Sequence, residues 1–396
     1  MNEKQIRNLI GLSLVPGLGA SRIMRLMQAF PDLDEVFRAD AASLMQIPGL
    51  GKATAAAIGR FKAWQEVDRI LKVTDNTDVW LLSLDDERYP HRLRHIFDPP
   101  LLLWGRGDAA ALSVPGIAVI GTRKPGPYGR ARAQQFSGDI ARSGLSVISG
   151  LAYGIDTLAH AAAVEAGGLT VAVLGSGIDR IYPSANRALT EKIVASGGAV
   201  ISEFAPGTKP DRENFPVRNR VVSGLSTGVL VVESATTGGS MITAYAALDQ
   251  GREVFAIPHD ITNEAGSGGN TLIKKGHAKL TMCLTDIVEE INLPAGIIKA
   301  NTAPQNQPGL FPVEEPKPAA ILPQKSPATP KWRTLKEVSQ RDDLKAVCEV
   351  LETGEHQIDD LAEKLEKPGH ILLVALLELE MLGCVKAKSG KRFALS

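Results

Sequence analysis

The chain has 396 residues, with 44 Lys and Arg against 44 Asp and Glu and a hydrophobic share of 44%. That length predicts two to four domains with sizeable cores, and zero net charge excludes a chain that is polycationic throughout, so any site for a polyanion has to be a local concentration of charge. Cys283, Cys348 and Cys384 stand far apart without CxxC or His spacing, which argues for core thiols of a reducing compartment and against a metal site or disulfide framework.

The start, MNEKQIRNLIGLSLVPGLGA, has neither a long apolar run with charged flanks nor a cleavage site, and no later run is long enough to span a bilayer. A cytoplasmic location without a membrane partner is expected. Residues 1–73 hold an internal repeat: VPGLG at 15–19 and IPGLG at 47–51 are each followed by a helical pattern, ending at Phe30 and Phe61. Helix, tight glycine turn, helix, twice over, reads as a pair of SAM-like helix-hairpin-helix motifs, whose backbone N–H groups can hold a phosphate without reading sequence. Lys52 favours this at the second hairpin, whereas Ala20 and Ser21 bring no charge to the first; close packing in a protein-contact bundle would use the same glycines.

Residues 74–295 form the main domain. Val79–Leu82 and Leu101–Trp104 read as strands, the second entered through Pro99-Pro100, and are expected to add a layer at the edge of the main sheet. Further strands are predicted at 118–120, 146–148, 171–174, 200–201, 229–232 and 254–257, alternating with helical stretches. This order predicts an α/β fold with a doubly wound parallel sheet, both faces covered and every strand releasing its loop at one rim. Ligands of such sheets sit beyond the carboxyl ends of the strands. There the turn Gly121-Thr122-Arg123 brings a backbone that can approach a phosphate and a guanidinium that can grip it.

Charge is unevenly placed in this domain. Residues 115–292 carry sixteen Lys and Arg and sixteen Asp and Glu, yet Arg123, Lys124, Arg130 and Arg132 crowd one turn and its helix while Arg212, Arg218 and Arg220 crowd another loop. If both meet at the rim, the local field is positive, and Tyr128, Tyr153, Tyr182 and Phe215 could offer stacking faces to unpaired bases. No GxxxxGK[ST] occurs, since Gly51-Lys52 runs into Ala53, and the GSGIDR turn lacks the third glycine of a dinucleotide loop. No metal-ligand cluster and no Ser/His/Asp spacing is visible. Asp156, Glu203 and Glu233 stand at strand ends where two carboxylates could share acid–base work, but capping a helix or pairing with Arg is the simpler role, Asp156 in particular lying near a helix start.

Residues 296–340 are rich in proline and are expected to form an extended, mobile linker. Residues 341–396 give helical stretches at 344–351, 358–365 and 370–382 followed by a hairpin, a winged-helix pattern. This unit is acidic, with eight Lys and Arg against eleven Asp and Glu, and its third helix carries Glu378 and Glu380. Only the wing, with Lys386, Lys388, Lys391 and Arg392, is basic, so a protein contact or weak wing-to-backbone contact is expected rather than groove reading.

The series IGTR, SGLAYGIDTLAH, GSGIDRIYPSAN, SEFAPGTKP, NFPVRNRVVSGLS, VVESATTGGSMITA, GREVFAIP and GGNTLIKKG resembles, motif after motif, the DNA-processing protein DprA (Smf) family. The resemblance implies an extended Rossmann-like fold that binds single-stranded DNA, and duplex more weakly, without catalysis, cofactor or metal. It further implies a homodimer formed through the main domain and the loading of RecA recombinase during natural transformation. On that resemblance Arg123 is the principal phosphate ligand, and Gly121, Ser149, Gly150, Asn186, Arg218, Asn219 and Arg220 belong to pocket loops. Thr122, Lys124, Asp156, Tyr182, Ser240 and Thr243 complete the candidate DNA-binding set, and the stretch 272–280, with Leu272, Ile273 and Leu280, resembles the dimer-forming segment. Some relatives place a Lys after the Tyr-Pro of the third loop; here it is Ser184, and Lys124 is the cation that could compensate. The alternative is a nucleotide-processing enzyme of the lysine-decarboxylase-like phosphoribohydrolase group. Residues 237–243, TGGSMIT, nearly match the start of its PGGxGTxxE loop, but Ala246 stands where the acid should follow.

Overall fold

The computed structural model describes residues 3–75, 77–291, 331–335, 338, 340–388 and 392–396. The N-terminal unit consists of helices α1 (Glu3–Ser13), α2 (Ala20–Ala29), α3 (Leu33–Arg38), α4 (Ala41–Met45), α5 (Lys52–Gly59) and α6 (Trp64–Asp75). Each hairpin turn passes through a glycine at positive φ, Gly17 at +75° and Gly49 at +84°, a backbone region that side chains with a Cβ avoid. Gly19 and Gly51 then cap α2 and α5. The two turns lean on one another, since Arg25 in α2 donates to Pro48 O (2.6 Å). Leu9, Leu12, Ile23, Leu26, Leu44, Ile58 and Ile70 close the core.

Strands β1 (Val79–Ser83), β2 (Leu102–Gly107), β3 (Gly116–Gly121), β4 (Ser146–Ser149), β5 (Thr170–Leu174), β6 (Ala199–Ser202), β7 (Gly228–Glu233), β8 (Glu253–Ala256) and β9 (Lys279–Leu280) form one sheet in the order 1-2-6-5-4-3-7-8-9. From β6 to β9 the pairing is parallel. The expected extra layer is instead a continuation of this sheet: β2 pairs antiparallel with β6, Trp104 opposite Ser202, and β1 with β2. The chain winds from β3 toward β6 on one side and toward β9 on the other, so the winding direction reverses between β3 and β7.

The helices that follow are α7 (His91–Arg94), α8 (Pro127–Arg142), α9 (Ile155–Glu165), α10 (Arg187–Ala195), α11 (Asn214–Leu225), α12 (Gly239–Asp249), α13 (Ser267–Lys274) and α14 (Leu284–Val288). Ile117 and Val119 of β3 pack with Phe136 and Ile140 of α8, while Ala118 and Ile120 join Val221 of α11 and Ala244 of α12 in the opposite layer. Alternate residues of one strand thus feed two cores, which is why these strands are apolar throughout. Burying each such Val or Ile contributes about 1.5–3 kcal/mol. Leu102, Trp104, Leu174 and Val200 share a third core with the N-terminal helices, which joins the two units.

In the C-terminal unit, helices Asp342–Leu351, Ile358–Leu365 and Gly369–Met381 pack on strands β10 (His356–Gln357), β11 (Val385–Lys388) and β12 (Arg392–Leu395), ordered 10-12-11 and antiparallel. Trp332 and Val338 are buried in its core, so the unit begins upstream of the boundary read at 341. Residues 292–330, most of the proline-rich segment, lie outside the described residues. The unit docks on the sheet domain through Asp359, which accepts from Arg252 (2.7 and 2.6 Å) and Arg92 (2.9 Å). Burial pushes the Asp359 carboxyl up, but the two guanidiniums prevail and hold it below its ordinary value.

Candidate nucleic-acid interface

The reversal between β3 and β7 opens a cleft of about 690 Å³ at the carboxyl rim of the sheet. Its floor is set by close approach. A Cβ on Gly121, at the end of β3, would meet Ile155 Cγ1 at 2.5 Å and Glu233 O at 2.8 Å, so only glycine lets the strand end run between its neighbours. The next turn is pinned from both sides, Thr122 N–H donating to Glu233 O (2.7 Å) and Ile155 N–H to Thr122 O (3.2 Å). Arg123 then projects into the open, its guanidinium 5.3 Å from the centre of the Phe215 ring.

Arg218 comes to the same ring from α11, at 5.9 Å. Unlike Arg123 it is only 4% exposed. Its Nη1 donates to Gly150 O and Val173 O and its Nε to Asn219 Oδ1 (3.1 Å), so this guanidinium ties the ends of β4 and β5 to α11. A side chain on Gly150 would collide with it at 2.5 Å. Burial lowers the Arg218 pKa to about 10, while Asp156 opposes that and Arg123 adds to it. The group keeps its charge at neutral pH. Asp156 sits in the first turn of α9 and accepts from Gly150 N–H (3.1 Å) and Ala152 N–H (3.2 Å). Burial raises its carboxyl above the ordinary value against the pull of Arg218.

The remaining wall comes from two helix starts. Phe215 and Pro216 stand in the first turn of α11, and Gly238, Gly239 and Ser240 begin α12, with Ser240 Oγ donating to Ser234 Oγ (2.7 Å). Helix N-termini present unpaired N–H groups and the positive end of the dipole. Tyr182, 42% exposed, lies tilted against Phe215 with ring centres 5.8 Å apart. Three cations (Arg123, Arg212 and Arg218), two helix starts and an aromatic step thus face one cleft whose only lining carboxylate, among the described residues, is Asp156, already bound to backbone N–H groups. The arrangement suits an anion joined to a flat apolar ring.

Of the residues singled out from sequence, Gly121, Thr122, Arg123, Gly150, Asp156, Tyr182, Arg218, Asn219, Ser240 and Thr243 line the cleft. Four do not. Lys124 is exposed on the loop beside it. Ser149 is buried, its Oγ on Val119 O (2.7 Å), and Asn186 holds the loop after β4 by donating to Leu151 O and Thr157 Oγ1 (both 2.8 Å). Arg220 is turned away, paired with Glu203 (2.5 Å) and Asp98 (3.5 Å). Burial pushes Glu203 up to about 7 despite that pairing. Glu233 is likewise occupied, accepting from Gly126 N–H (3.0 Å). Tyr128 and Tyr153 are exposed outside the cleft, the former edge-on to His259. Leu272 is fully buried in the core and cannot be a contact residue between copies; Ile273 packs against that core, and only Leu280, on the edge strand, is well exposed.

The sequence shows Phe215 and Arg212 as an aromatic and a cation without marking them as members of the set, and it does not single out Ser234, Gly238 and Gly239, which also line the cleft. Helical period carries the missing signal for Phe215: it precedes Arg218 by three residues and Val222 by seven, one face of α11, whereas Arg220 is rotated about 200° from Arg218.

A family model described as DNA recombination-mediator protein A matches residues 80–292, and one described as a SAM-like helix-hairpin-helix tandem matches residues 7–58. The chain is 39% identical over 229 residues to the DNA processing protein DprA of Bacillus subtilis, covering 58% of this chain and 76% of that protein. It is 36% identical over 313 residues to Protein Smf of Escherichia coli, covering 78% and 76%. The X-ray structure of DprA from Streptococcus pneumoniae superimposes with a TM-score of 0.64 at 32% identity, over 73% of this chain and 98% of that one.

Proposed function

Since the chain belongs to the DNA recombination-mediator protein A family, we propose that its cleft between β3 and β7 binds single-stranded DNA, without cleaving it, for delivery to a RecA-type recombinase in natural transformation. The observation that carries this reading is the pairing of Arg123 and Arg218 on one aromatic ring at the rim. Arg218, fixed by two carbonyls, sets the field and the wall. Arg123 is exposed and pairs with phosphate, exchanging water for charge-assisted hydrogen bonds. Tyr182 gives a neighbouring base a face to stack on, which does not discriminate among sequences.

A binding rather than hydrolytic role is supported by the carboxylates at the rim. Asp156 holds backbone N–H groups, Glu203 holds Arg220 and Glu233 holds Gly126, so each is committed to the fold. On this reading the protein acts as a cytoplasmic homodimer, with the exposed Leu280 and Met282 beside edge strand β9 as the contact. The C-terminal unit serves as a winged helix whose duplex contact, through the basic wing, is the weaker one.

Arg123→Ala tests the reading by fluorescence anisotropy of labelled oligo-dT at moderate salt. Removing a charge-assisted contact of about 1.5–3 kcal/mol weakens binding roughly 10- to 150-fold. Unchanged affinity would place the DNA elsewhere.

A further inference from the structure

The third C-terminal helix, Gly369–Met381, buries Leu372, Ala375, Leu376 and Leu379 in its own domain. Its opposite side is apolar as well: Ile371, Val374, Leu377 and Met381 are 48%, 59%, 59% and 82% exposed. Their spacing puts them on one stripe about 120° wide, the kind of face a surface helix normally buries. The stripe continues onto the sheet domain, where Phe97, 67% exposed, stands edge-on to His370 with ring centres 4.8 Å apart. Beside that pair a cavity of about 620 Å³ opens between the two units, lined by Ile96, Leu248 and Leu373.

Charge decides what this band fits. Glu378 and Glu380 flank Val374, Leu377 and Met381 on the helix, the carboxylates of Asp98 and Asp249 line the cavity at its head, and Glu363 on the preceding helix lies 3.2 Å from His91 Nε2. Arg341 answers Glu378 at 3.0 Å, and Arg220 in the cavity is already bound to Glu203 and Asp98. Phosphates would be repelled along this helix. A second copy meeting it face to face would set Glu378 and Glu380 against like charges, because a two-fold interface brings a patch onto itself.

We infer that this band is the docking face for a basic amphipathic helix of a partner protein, its apolar stripe on Val374, Leu377 and Met381 and its Lys or Arg flanks toward the exposed carboxylates of Glu380 and Asp249. This surface is separate from the DNA cleft. The test uses the full chain and two fluorescent helical peptides of about 20 residues with the same Leu stripe, one flanked by Lys and one by Glu. The Lys peptide binds saturably and at least about tenfold tighter than the Glu peptide. Leu377→Asp with Met381→Asp lowers its affinity by at least about tenfold and leaves oligo-dT affinity within about twofold; the milder Leu377→Ser with Met381→Ser follows the same order. Equal binding of the two peptides, no binding of either up to about 1 mM, or full binding by the Asp variant overturns the inference. So does a duplex-binding activity that disappears in that variant, which would make the band a DNA face, or a halved sedimentation mass, which would make the occupant a second copy.

Discussion

The carboxyl rim of the sheet and the third C-terminal helix each combine exposed apolar surface with charge, and they do so with opposite signs. At the rim, Arg123 and Arg218 share the Phe215 ring, two helix starts face inward and the one carboxylate lining the cleft among the described residues is bound to backbone N–H groups. On the helix, an apolar stripe runs between Glu378 and Glu380. The chain as a whole is neutral, so its total charge says nothing about either surface. On the assignments proposed for them, the two surfaces differ in which charges stay exposed after the fold has used the others: Arg123 at the rim, Glu380 and Asp249 beside the helix stripe.

Arg218→Ala strains this contrast hardest. Removing this buried guanidinium takes a donor from Gly150 O and Val173 O and the opposing charge from the field around buried Asp156, so stability falls by about 1–3 kcal/mol in denaturant titrations. Arg123→Ala, exposed, leaves stability within about 0.5 kcal/mol while lowering oligo-dT affinity roughly 10-fold or more. Equal stability losses in the two variants would mean that the division between a fixed and a free guanidinium is wrong. Tyr182→Ala removes one stacking face and weakens binding by about 1–2 kcal/mol, roughly 5- to 30-fold.

A smaller effect concerns Glu203. Its folded pKa lies near 7, above the ordinary 4.5, because burial outweighs Arg220. The folded state therefore binds more protons than the unfolded one between those values, and stability falls as pH rises from about 4.5 to 7. Glu203→Gln flattens that part of the stability–pH curve; an unaltered slope would show that Glu203 is ionised throughout. Smallest of all, removing the chain from 331 onward leaves oligo-dT affinity within about twofold, since among the described residues none from the C-terminal unit lines the cleft. A large loss would erase the separation between the two surfaces.

Much of the architecture is legible in the sequence because buried parallel strands are apolar runs bounded by glycine and proline, as at 117–120 and 229–232. Strand β9 is not, being two residues long, nor is the continuation of the sheet into β2, which depends on pairing with β6 across a long stretch of chain. Trp332 lies inside the proline-rich stretch read as a linker, 296–340, and shows no local sign of belonging to a core completed by Val347 and Leu376. At the cleft, residue types are legible but direction is not. Arg218 and Arg220 look alike in PVRNR, and only the helical turn of α11 sends one to Phe215 and the other to Glu203. Leu272 enters the contact set only through the resemblance of the 272–280 stretch to a dimer-forming segment and is a core residue, because likeness of a stretch does not say which of its side chains meet their own sheet.

That difference in direction can be read in a salt titration of oligo-dT binding by the wild-type chain, Arg123→Ala and Arg220→Ala. Removing one phosphate-binding cation lowers the slope of log affinity against log salt by about 0.7 for a single strand. Arg123→Ala should bind weakly with a slope reduced by about that amount, and Arg220→Ala should keep the wild-type slope. Identical slopes for wild type and Arg123→Ala, or an equal reduction in both variants, would contradict a DNA site organised around Arg123 and Arg218.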